Sequence, residues 1–415
     1  MTTGFISQFK KYTPFCCQTV SCDFDRVPQL KNTTGAGDVF DLTVPRHGDL
    51  VKNMYLRFGF TPPTTVEGEL LAFVPSVYMF DRFELRLGDV IVETLYPEFI
   101  NIYYNAFIDF SKKRGNILNT GPLHYNHDTD AILPDSEDSI LENTNRNYVL
   151  GLPFYFSMES RQSFPLCALT KQELVVRVYM RGLQNIIQFA EGVDDDVALV
   201  ESLSAVTLTH MYMDIEYVYL STPEFKFFME NPLTYTLVQT QEERYGLPAA
   251  VDDAPVVTTT TIRLEFINPI VEMYMYILVN DRIETNRVDK NERVGTGHTI
   301  ESIRLNLDGE TVIDDTVADY MFLSHMQYML HHSSVFEHNT VTNNMYVYNY
   351  SFSMNPESTC PAGTVNFNML NNKNLTVNFP TDVINTDKTL FILARSLNML
   401  RIENGTGVLI FKNIN

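Results

Sequence analysis

The sequence predicts an all-β protein built from two tandem copies of one antiparallel sandwich or barrel domain. Short segments rich in β-branched and aromatic residues recur along the chain, each bounded by Gly, Pro, Asn or Asp. Phe and Tyr are frequent, at 28 and 22 residues, whereas Trp is absent, and this bias favours pleated, half-buried strands. Segments at a constant separation also resemble one another, which indicates an internal duplication.

Eight segments carry the strand pattern most clearly, and their regular spacing is typical of a sandwich or barrel. These segments are 39–44, 52–61, 82–87, 174–180, 211–220, 260–266, 272–279 and 345–354. Two others, 96–107 and 317–330, have apolar residues at helical spacing. A third helix is predicted over 223–235, with Thr222 as its N-cap and Pro223 at its first position, linking the two copies.

The duplication is visible at several points of the chain. Residues 50–54 match 270–274, and 85–93 resembles 305–314, at an offset of 220 or one more. Further along the chain, 156–158 and Pro165 match 352–354 and Pro361 at an offset of 196. The first copy therefore holds about 24 extra residues (220 minus 196). Segment 109–147, with its glycines, prolines and acidic run 135–138, predicts a long solvated loop there. A second exposed loop is expected over 239–261.

Charge is strongly acidic but evenly divided between the copies. The 415 residues carry a net charge of -21; residues 1–222 hold 28 acids and 17 bases, and the remainder holds 23 and 13. This balance argues against direct nucleic-acid binding, which requires clustered Lys and Arg to release counterions from phosphates. Both ends are more basic, through Lys10 and Lys11 and through four basic residues after 387. One interpretation is that the ends dock on acidic neighbouring copies or on an anionic surface, and the other is chance.

The sequence contains no set of residues with the spacing of a catalytic or metal-binding motif. Gly35 and Gly37 lack the remainder of a phosphate-binding motif, and no Gly-x-Ser-x-Gly elbow occurs. His124 and His127 with Asp128 and Asp130 form one polar segment, and Glu191 with 194–196 lacks calcium-loop spacing, so solvated loops are the preferred interpretation of both. We therefore expect no enzyme activity, no metal and no cofactor.

Histidines, cysteines and sequons favour structural roles. His331 and His332 end the second helical segment, where an imidazolium suits a helix C-terminus. Five cysteines predict structural thiols in a reducing compartment, with Cys16 and Cys22 facing a core by strand parity. No apolar run approaches the roughly 18 residues that span a bilayer, and no secretory signal is apparent. Glycosylation is therefore not expected at the four sequons, Asn32, Asn349, Asn374 and Asn404.

Several segments resemble the double jelly-roll major capsid proteins of nucleocytoplasmic large DNA viruses. The most specific is 350–357, which contains Asn355, Pro356 and Glu357, followed by Pro361, Gly363 and Thr364 in 361–367. Segments with Pro45 and Arg46, with Pro153 and Phe154, and with Pro165 also match, as do 217–220 and 398–402. In physical terms Asn355 can cap a helical turn that has Pro356 at its first position, and 361–363 can supply the following turn. These residues are interpreted as specifying the fold and assembly.

The resemblance implies two eight-stranded antiparallel jelly rolls with short helices in loops and a linking helix. The expected boundaries are an N-terminal arm at 1–13, a first jelly roll at 14–222, the helix at 223–235 and a second jelly roll at 236–415. It also implies a homotrimer of pseudo-hexagonal outline that tiles an icosahedral capsid, is made in the host cytoplasm and ends in the virion. Its partners would be neighbouring trimers, minor capsid and penton proteins and, through the basic termini, an internal membrane.

Two other functions fit a jelly roll. A carbohydrate-active enzyme would place two carboxylates about 5 to 9 Å apart in a cleft. A lectin-like module would expose aromatic side chains on one sheet face to bind a glycan. Neither is supported by a motif, so a structural capsid protein is the preferred hypothesis.

Overall fold

The computed structural model describes most of the chain. The described residues are 14–33, 35–61, 71–73, 76–108, 125–126, 131–132, 146–159, 162–189, 206–247, 258–279, 298–336, 346–360, 362–380 and 388–411. Most of segment 109–147, with its acidic run and its histidines, lies outside these ranges, as do Lys10, Lys11, 194–196 and Pro361.

The first domain is a sandwich of two four-stranded antiparallel sheets, ordered β1-β12-β3-β9 and β2-β10-β5-β6. Two short pairs, β4 with β11 and β7 with β8, form separate two-stranded sheets. The strands are β1 (Phe15–Cys22), β2 (Ala36–Thr43), β3 (Leu50–Phe60), β4 (Leu71–Phe73), β5 (Phe80–Leu87), β6 (Val90–Leu95), β7 (Tyr125–Asn126), β8 (Ala131–Ile132), β9 (Arg146–Gly151), β10 (Leu174–Arg181), β11 (Ile187–Phe189) and β12 (Leu208–Leu220).

The second domain repeats this sandwich with sheets β13-β21-β15-β18 and β14-β20-β16-β17. Two short strands extend the first of these sheets, since β19 pairs with β15 and β22 with β21. The strands are β13 (Leu233–Leu247), β14 (Thr259–Arg263), β15 (Pro269–Val279), β16 (Ser302–Leu307), β17 (Glu310–Ile313), β18 (Tyr348–Ser351), β19 (Val365–Asn366), β20 (Lys373–Asn378), β21 (Lys388–Glu403) and β22 (Thr406–Leu409).

The matching strand orders confirm the prediction of two tandem jelly rolls. The hairpins β5–β6 and β16–β17 correspond at the expected offset of 220, from Leu87 to Leu307. In β3 and β15 the two bulges, at Lys52 and at Val271, are equivalent and lie at an offset of 219 instead. Residues whose letters match at an offset of 220 are therefore one position apart in these strands and do not share a face.

Helices connect the strands at equivalent places in the two domains. After β6 the chain forms a helix over Pro97–Ile102 that continues as a π-helical turn over Tyr103–Phe107. After β17 it forms a π-helical turn over Phe322–Met326 followed by an α-helix over Gln327–His331. Shorter helical turns are Ser76–Met79, Tyr155–Met158, Leu166–Ala168, Leu183–Ile186 and Phe367–Met369. We call 97–107 the first-domain helix and 322–331 the second-domain helix.

The linking helix is shorter than expected. It spans Thr222–Glu230 with Ser221 as its N-cap, and β13 already begins at Leu233. The expected end at 235 was wrong because Leu233 and the residues after it pair with β21, starting at Ile402. A long cross-strand partner therefore outweighed the local helical pattern of these residues.

The expected exposed loop over 239–261 was also wrong in its first part. Residues up to Leu247 belong to β13 and pair with β21 along its whole length, and Gln239 and Gln241 are buried. Cys22 faces the core as expected, but Cys16 is exposed. Strand parity alone was insufficient at Cys16, because the core does not extend to the beginning of β1.

The two hydrophobic cores differ in extent. One core fills the second sandwich and includes Met273, Met275 and Ile392. The other fills the first sandwich and continues into the second domain through side chains such as Tyr276 and Phe391. The two jelly rolls thus share one continuous apolar junction. Within the described residues, no helix is long and apolar enough to cross a bilayer.

Candidate functional site: the outer sheet faces and the domain junction

The junction is formed by the first-domain helix on one side and by the outer face of sheet β13-β21-β15-β18 on the other. Phe99, Ile102 and Ala106 of the first-domain helix are buried in the same core as Tyr276 and Phe391. The backbone also connects the two sides, since Ser334 N donates to Ala106 O at 2.9 Å. This sheet therefore buries both faces, one inside its own sandwich and one against the first domain.

Alternation along the strands explains how one sheet serves two cores. In β15, Met273 and Met275 point into the second sandwich, while Tyr274 and Tyr276 point into the junction. Tyr276 stacks on Phe391 of β21 with ring centroids 5.1 Å apart and an interplanar angle of 8°. The junction face is thus largely aromatic, and removing it from water stabilises the contact between the domains.

A buried charged cluster lies in the middle of this aromatic face. Arg395 Nη1 donates to Glu272 Oε1 at 2.5 Å and to the carbonyl oxygen of Pro356 at 3.0 Å. Its guanidinium lies 4.7 Å from the ring centroid of Phe107 and 5.7 Å from that of Phe99, both in the first-domain helix. Arg395 is 1% exposed, so it forms ion-pair and cation–π contacts in a site shielded from water.

His332 completes the cluster at the end of the second-domain helix. Its Nε2 lies 3.1 Å from Glu272 Oε2 and its Nδ1 lies 3.5 Å from Glu357 Oε1. Phe107 and Tyr328 pack beside the imidazole, with ring centroids 5.0 and 5.3 Å away. His332 is therefore more than the helix cap that its position suggested, because it joins two carboxylates from different segments.

The electrostatics of the cluster favour its charged form. Burial by itself would raise the pKa of Glu272, but the nearby positive charges of His332 and Arg395 hold that pKa at about 2. Burial would likewise lower the pKa of His332, but Glu272 and Glu357 raise it to about 9. At neutral pH the carboxylate, imidazolium and guanidinium are all ionised, and each compensates the desolvation of another.

The equivalent face of the first domain has a different character. In sheet β1-β12-β3-β9 the positions equivalent to Glu272, Tyr274 and Tyr276 are Asn53, Tyr55 and Arg57. Their cross-strand partners are Glu216, Asp214 and Tyr212, respectively. Asn53 donates to Glu216, and Arg57 forms an ion pair with Asp214. Tyr55 is 39% exposed, and the side chain of Arg57 is 45% exposed. This face is polar and accessible where its counterpart is aromatic and covered.

The second-domain helix also differs from its counterpart. The first-domain helix buries Phe99, Ile100 and Ile102. The second-domain helix and the residue just before it expose large apolar side chains: Met321 (48%), Met326 (52%), Met329 (73%) and Leu330 (63%). A patch of this kind on a structured element is typical of a protein–protein contact. We refer to these four residues as the methionine patch.

The early family motifs lie where the chain enters and leaves the sheets. Arg46 donates from Nη1 to the carbonyl oxygen of Leu166 at 3.0 Å and from Nη2 to that of Gln172 at 3.2 Å, so it holds the segment after Pro165. Pro45 O accepts a hydrogen bond from Tyr217 Oη at 2.7 Å. Pro153 and Phe154 are buried just before the helical turn Tyr155–Met158, and the Phe154 ring stacks on Phe156.

The late motif wraps the charged cluster. Asn355 leads directly into a turn formed by Pro356 and Glu357. Glu357 accepts hydrogen bonds from Ser333 N and Oγ, at 2.6 and 2.5 Å, instead of stabilising a dipole of its own segment. Gly363 has φ +122°, where an added Cβ would lie 2.7 Å from the carbonyl oxygen of Phe352. Thr364 is exposed beside it, and Pro361 lies outside the described residues.

Other residues singled out from the sequence are dispersed. Asn349 is fully buried and donates to Glu272 at 3.2 Å, whereas Asn32 and Asn404 are exposed and Asn374 is half-buried. The basic C-terminal segment is not a surface patch, because Lys388 and Arg395 are buried and Arg401 pairs with Glu403 at 2.7 Å. Among the described residues, no group of three or more His, Cys, Asp or Glu is placed to hold a metal ion.

Sequence reasoning missed Glu272, Arg395 and His332 as one cluster. They come from β15, β21 and a helix end, so no short motif contains them. One signal was available, since Glu272 and Arg395 are charged residues within otherwise apolar strand segments. A charge in such a segment predicts a buried partner, although it does not identify that partner.

Comparison with known proteins places this architecture in one family. Residues 3–221 match the family model described as major capsid protein N-terminus. A major capsid protein of Pyramimonas orientalis virus is 21% identical over 430 residues, covering 99% of this chain and 94% of the relative. The structure of PBCV-1 VP54 gives a TM-score of 0.73 at 18% identity, covering 99% of this chain and all of the other. The Faustovirus major capsid protein gives 0.69 at 9% identity, covering 97% and 93%.

Proposed function

This chain belongs to the double jelly-roll major capsid protein family of nucleocytoplasmic large DNA viruses, and from that membership we propose that it assembles as a pseudo-hexagonal homotrimer that tiles an icosahedral capsid. The role is structural, with no reaction catalysed. The carbohydrate-active and lectin-like alternatives are not favoured, since its full-length relatives are capsid proteins.

The observation that carries the trimer proposal is the unequal covering of equivalent surfaces. Inside one chain, the first-domain helix covers the outer sheet face of the second domain. The outer sheet face of the first domain and the methionine patch of the second-domain helix are exposed. The junction is formed by a helix of one domain and a sheet face of the other. Each chain therefore has one further helix, on its second domain, and one further sheet face, on its first domain, that could form the same kind of contact with other chains.

Repetition of this contact between chains produces a closed ring. The second-domain helix of one copy would cover the first-domain face of the next, and Tyr55, Arg57 and Tyr212 would receive the methionine patch. A head-to-tail contact of this kind closes only if the rotation per step divides a full turn. Three chains supply six similar domains, which gives the outline of a hexagon.

The physical chemistry of the two surfaces suits such a contact. The methionine side chains are flexible and adapt to an irregular surface, and the aromatic rings of Tyr55 and Tyr212 offer apolar area. Arg57 and Asp214 are paired on the receiving face, so covering them leaves no isolated charge. The acidic surface favours solubility of free trimers and moderates contacts between them.

The wider assembly follows from the same family membership. We infer that neighbouring trimers, minor capsid proteins and penton proteins are the partners of this chain, and that it is made in the host cytoplasm and resides in the virion capsid. Contact with an internal membrane would depend on Lys10 and Lys11, since the described C-terminal basic residues are buried or paired.

The trimer is tested by measuring the mass of the purified protein with light scattering after size exclusion. Wild-type protein is expected at three times the chain mass of 47.6 kDa. Met329→Asp should yield folded monomers, because a charge in an apolar contact pays its desolvation without a partner.

The matched control is Met369→Asp, which changes an equally exposed methionine on a different surface, 78% against 73% exposed. It is expected to remain trimeric. A monomeric wild-type protein, or a Met329→Asp variant that still forms trimers, would contradict the proposed contact.

A further inference from the structure

A cavity of about 360 Å³ lies at the junction between the two domains. It is bordered by β6 and β13, each of which is the edge strand of its own sheet. The two strands meet through a side chain, since Gln239 Nε2 donates to the carbonyl oxygen of Val92 at 2.5 Å. The cavity therefore lies where two sheet edges approach each other without pairing, and ligand sites are frequent at such domain interfaces.

The lining of the cavity is strongly acidic. Four carboxylates contribute to it, with hydroxyl groups of two threonines nearby, and no Lys, Arg or His is among the described residues that line it. The polar lining residues are Glu93, Thr94, Tyr96, Gln239, Thr240, Gln241, Glu242, Glu243 and Glu265. A concave surface with charges of one sign concentrates the electrostatic potential inside it.

Two of these carboxylates are buried with an oxygen that lacks a partner. Glu93 is 2% exposed; its Oε2 accepts a hydrogen bond from Tyr155 N at 3.0 Å, but its Oε1 has no partner in the described structure. The Glu242 side chain is 4% exposed; its Oε1 accepts from Arg244 Nε at 2.5 Å, whereas its Oε2 is likewise unpaired among the described residues. Leaving a buried acceptor unpaired is costly, so these oxygens identify where a donor is missing.

The remaining acidic groups are already satisfied. Glu243 accepts hydrogen bonds from Tyr245 and from Glu265 N, and Glu265 at the exposed rim lies 3.3 Å from Arg263. The deficit of positive charge is thus confined to the buried part of the cavity. Consistent with this, burial raises the pKa of Glu93 to about 8 despite Arg395, and burial together with Glu98 raises that of Glu242 to about 7 despite Arg244.

We propose that this cavity binds an organic cation, with an ammonium or guanidinium group donating to the free oxygens of Glu93 and Glu242. Such groups supply hydrogen-bond donors and positive charge together, which is what these oxygens lack. The carboxylates are not arranged to coordinate a metal ion directly. Thr94 and Thr240 also line the cavity, and a threonine hydroxyl can accept from a group with several N–H donors. The inference does not depend on trimer formation, because both strands belong to one chain.

The probes are spermidine, as a free polyamine, and Nα-acetyl-lysine methylamide, as a mimic of a lysine side chain. Titration calorimetry on the intact protein at low ionic strength should show saturable binding of at least one of them. Glu93→Gln/Glu242→Gln should weaken that binding at least tenfold while preserving the circular dichroism spectrum. Glu230→Gln/Glu301→Gln removes the same number of charges at exposed sites and should bind as wild type does.

The two possible sources of the cation are separated by the probes. Binding of spermidine alone supports a free polyamine. Binding of the lysine mimic, with a carbodiimide cross-link from Glu242 to a lysine of another copy in assembled particles, supports a protein side chain. The inference is overturned if neither probe binds, or if the two double variants bind equally well. Should the cavity double variant fail to fold, Glu242→Gln alone is tested by the same criteria.

Discussion

The two equivalent sheets share a strand order and a bulge, but their outer faces differ in polarity and in exposure to solvent. In the second domain the face presents Tyr274, Tyr276 and Phe391 around a buried ion pair, and the first domain covers it. In the first domain the matched positions carry hydrogen-bonded polar side chains, and Tyr55 and Arg57 among them remain exposed. The backbone of a duplicated domain is thus compatible with either surface, and the side chains decide whether the contact is permanent.

The difference is sharpest at one pair of matched positions. Glu272 and Arg395 form a buried ion pair, whereas Asn53 and Glu216 form a hydrogen bond at the equivalent place. A buried ion pair tolerates no loss of a partner, while an accessible polar pair can use water instead. We infer that the second-domain face is committed to one neighbour, and that the first-domain face is suited to a contact made after folding.

The largest expected effect is that of Arg395→Ala. Removing the guanidinium leaves Glu272 buried with less compensation, and should lower the free energy of unfolding by about 3 to 5 kcal/mol. Glu216→Ala, at the matched position of the first domain, removes only a partly exposed hydrogen bond from Asn53 and should lower it by less than about 1.5 kcal/mol. Denaturant unfolding at equal protein concentration measures both. Equal losses for the two variants would contradict the difference between the faces.

An intermediate effect is expected from pH. The pKa of His332 is about 9 in the folded protein, against an unfolded value near 6.5, because Glu272 and Glu357 outweigh the effect of burial. Its stabilising contribution is therefore complete below about pH 6.5 and is lost as the pH rises through 9. Glu93 acts in the same direction, since its buried carboxyl has a pKa of about 8 and ionises at a cost as the pH rises. The opposite dependence on pH holds for Glu272, whose pKa is about 2 in the folded protein against 4.5 when unfolded. Its stabilising contribution is complete above about pH 4.5 and is lost as the pH falls toward 2.

Unfolding measured between pH 6 and 9.5 should show wild-type stability falling by about 3 kcal/mol through His332 alone, and Glu93 should add to this decline. His332→Gln should be less stable at pH 6 and should show a shallower decline. His210→Gln, a change in the first domain away from the junction, should retain the wild-type slope. A wild-type slope in the His332 variant would show that the cluster does not titrate as inferred.

The smallest expected effect concerns the aromatic stack. Phe391→Leu retains apolar volume but removes the ring that stacks on Tyr276, and should cost about 0.5 to 1.5 kcal/mol. Tyr212→Leu at the matched position of the first domain should leave the unfolding of monomeric Met329→Asp protein nearly unchanged. Thermal unfolding in that background compares the two substitutions. A larger loss for Tyr212→Leu would mean that the first-domain face is also covered within the chain.

Much of the fold could be predicted because its signals are local. The alternation of strands, the turn residues of the hairpins at 87–90 and 307–310, and the two constant offsets together indicated two copies of one sandwich. Errors arose where a strand meets a partner from far along the chain. The polar segment after Gln239 looked like a loop, but it is an edge strand whose side chains bond across the junction.

The sequence by itself determined the fold class, the duplication, the acidic charge and the resemblance to capsid proteins, because composition, periodicity and short motifs are properties of neighbouring residues. Only the tertiary structure decided which of two equivalent faces is covered, that His332 joins Glu272 and Arg395, and that Glu93 and Glu242 share a cavity. These are relations between side chains more than a hundred residues apart in several cases. Burial and charge compensation there depend on how the second copy packs against the first, which no local pattern encodes.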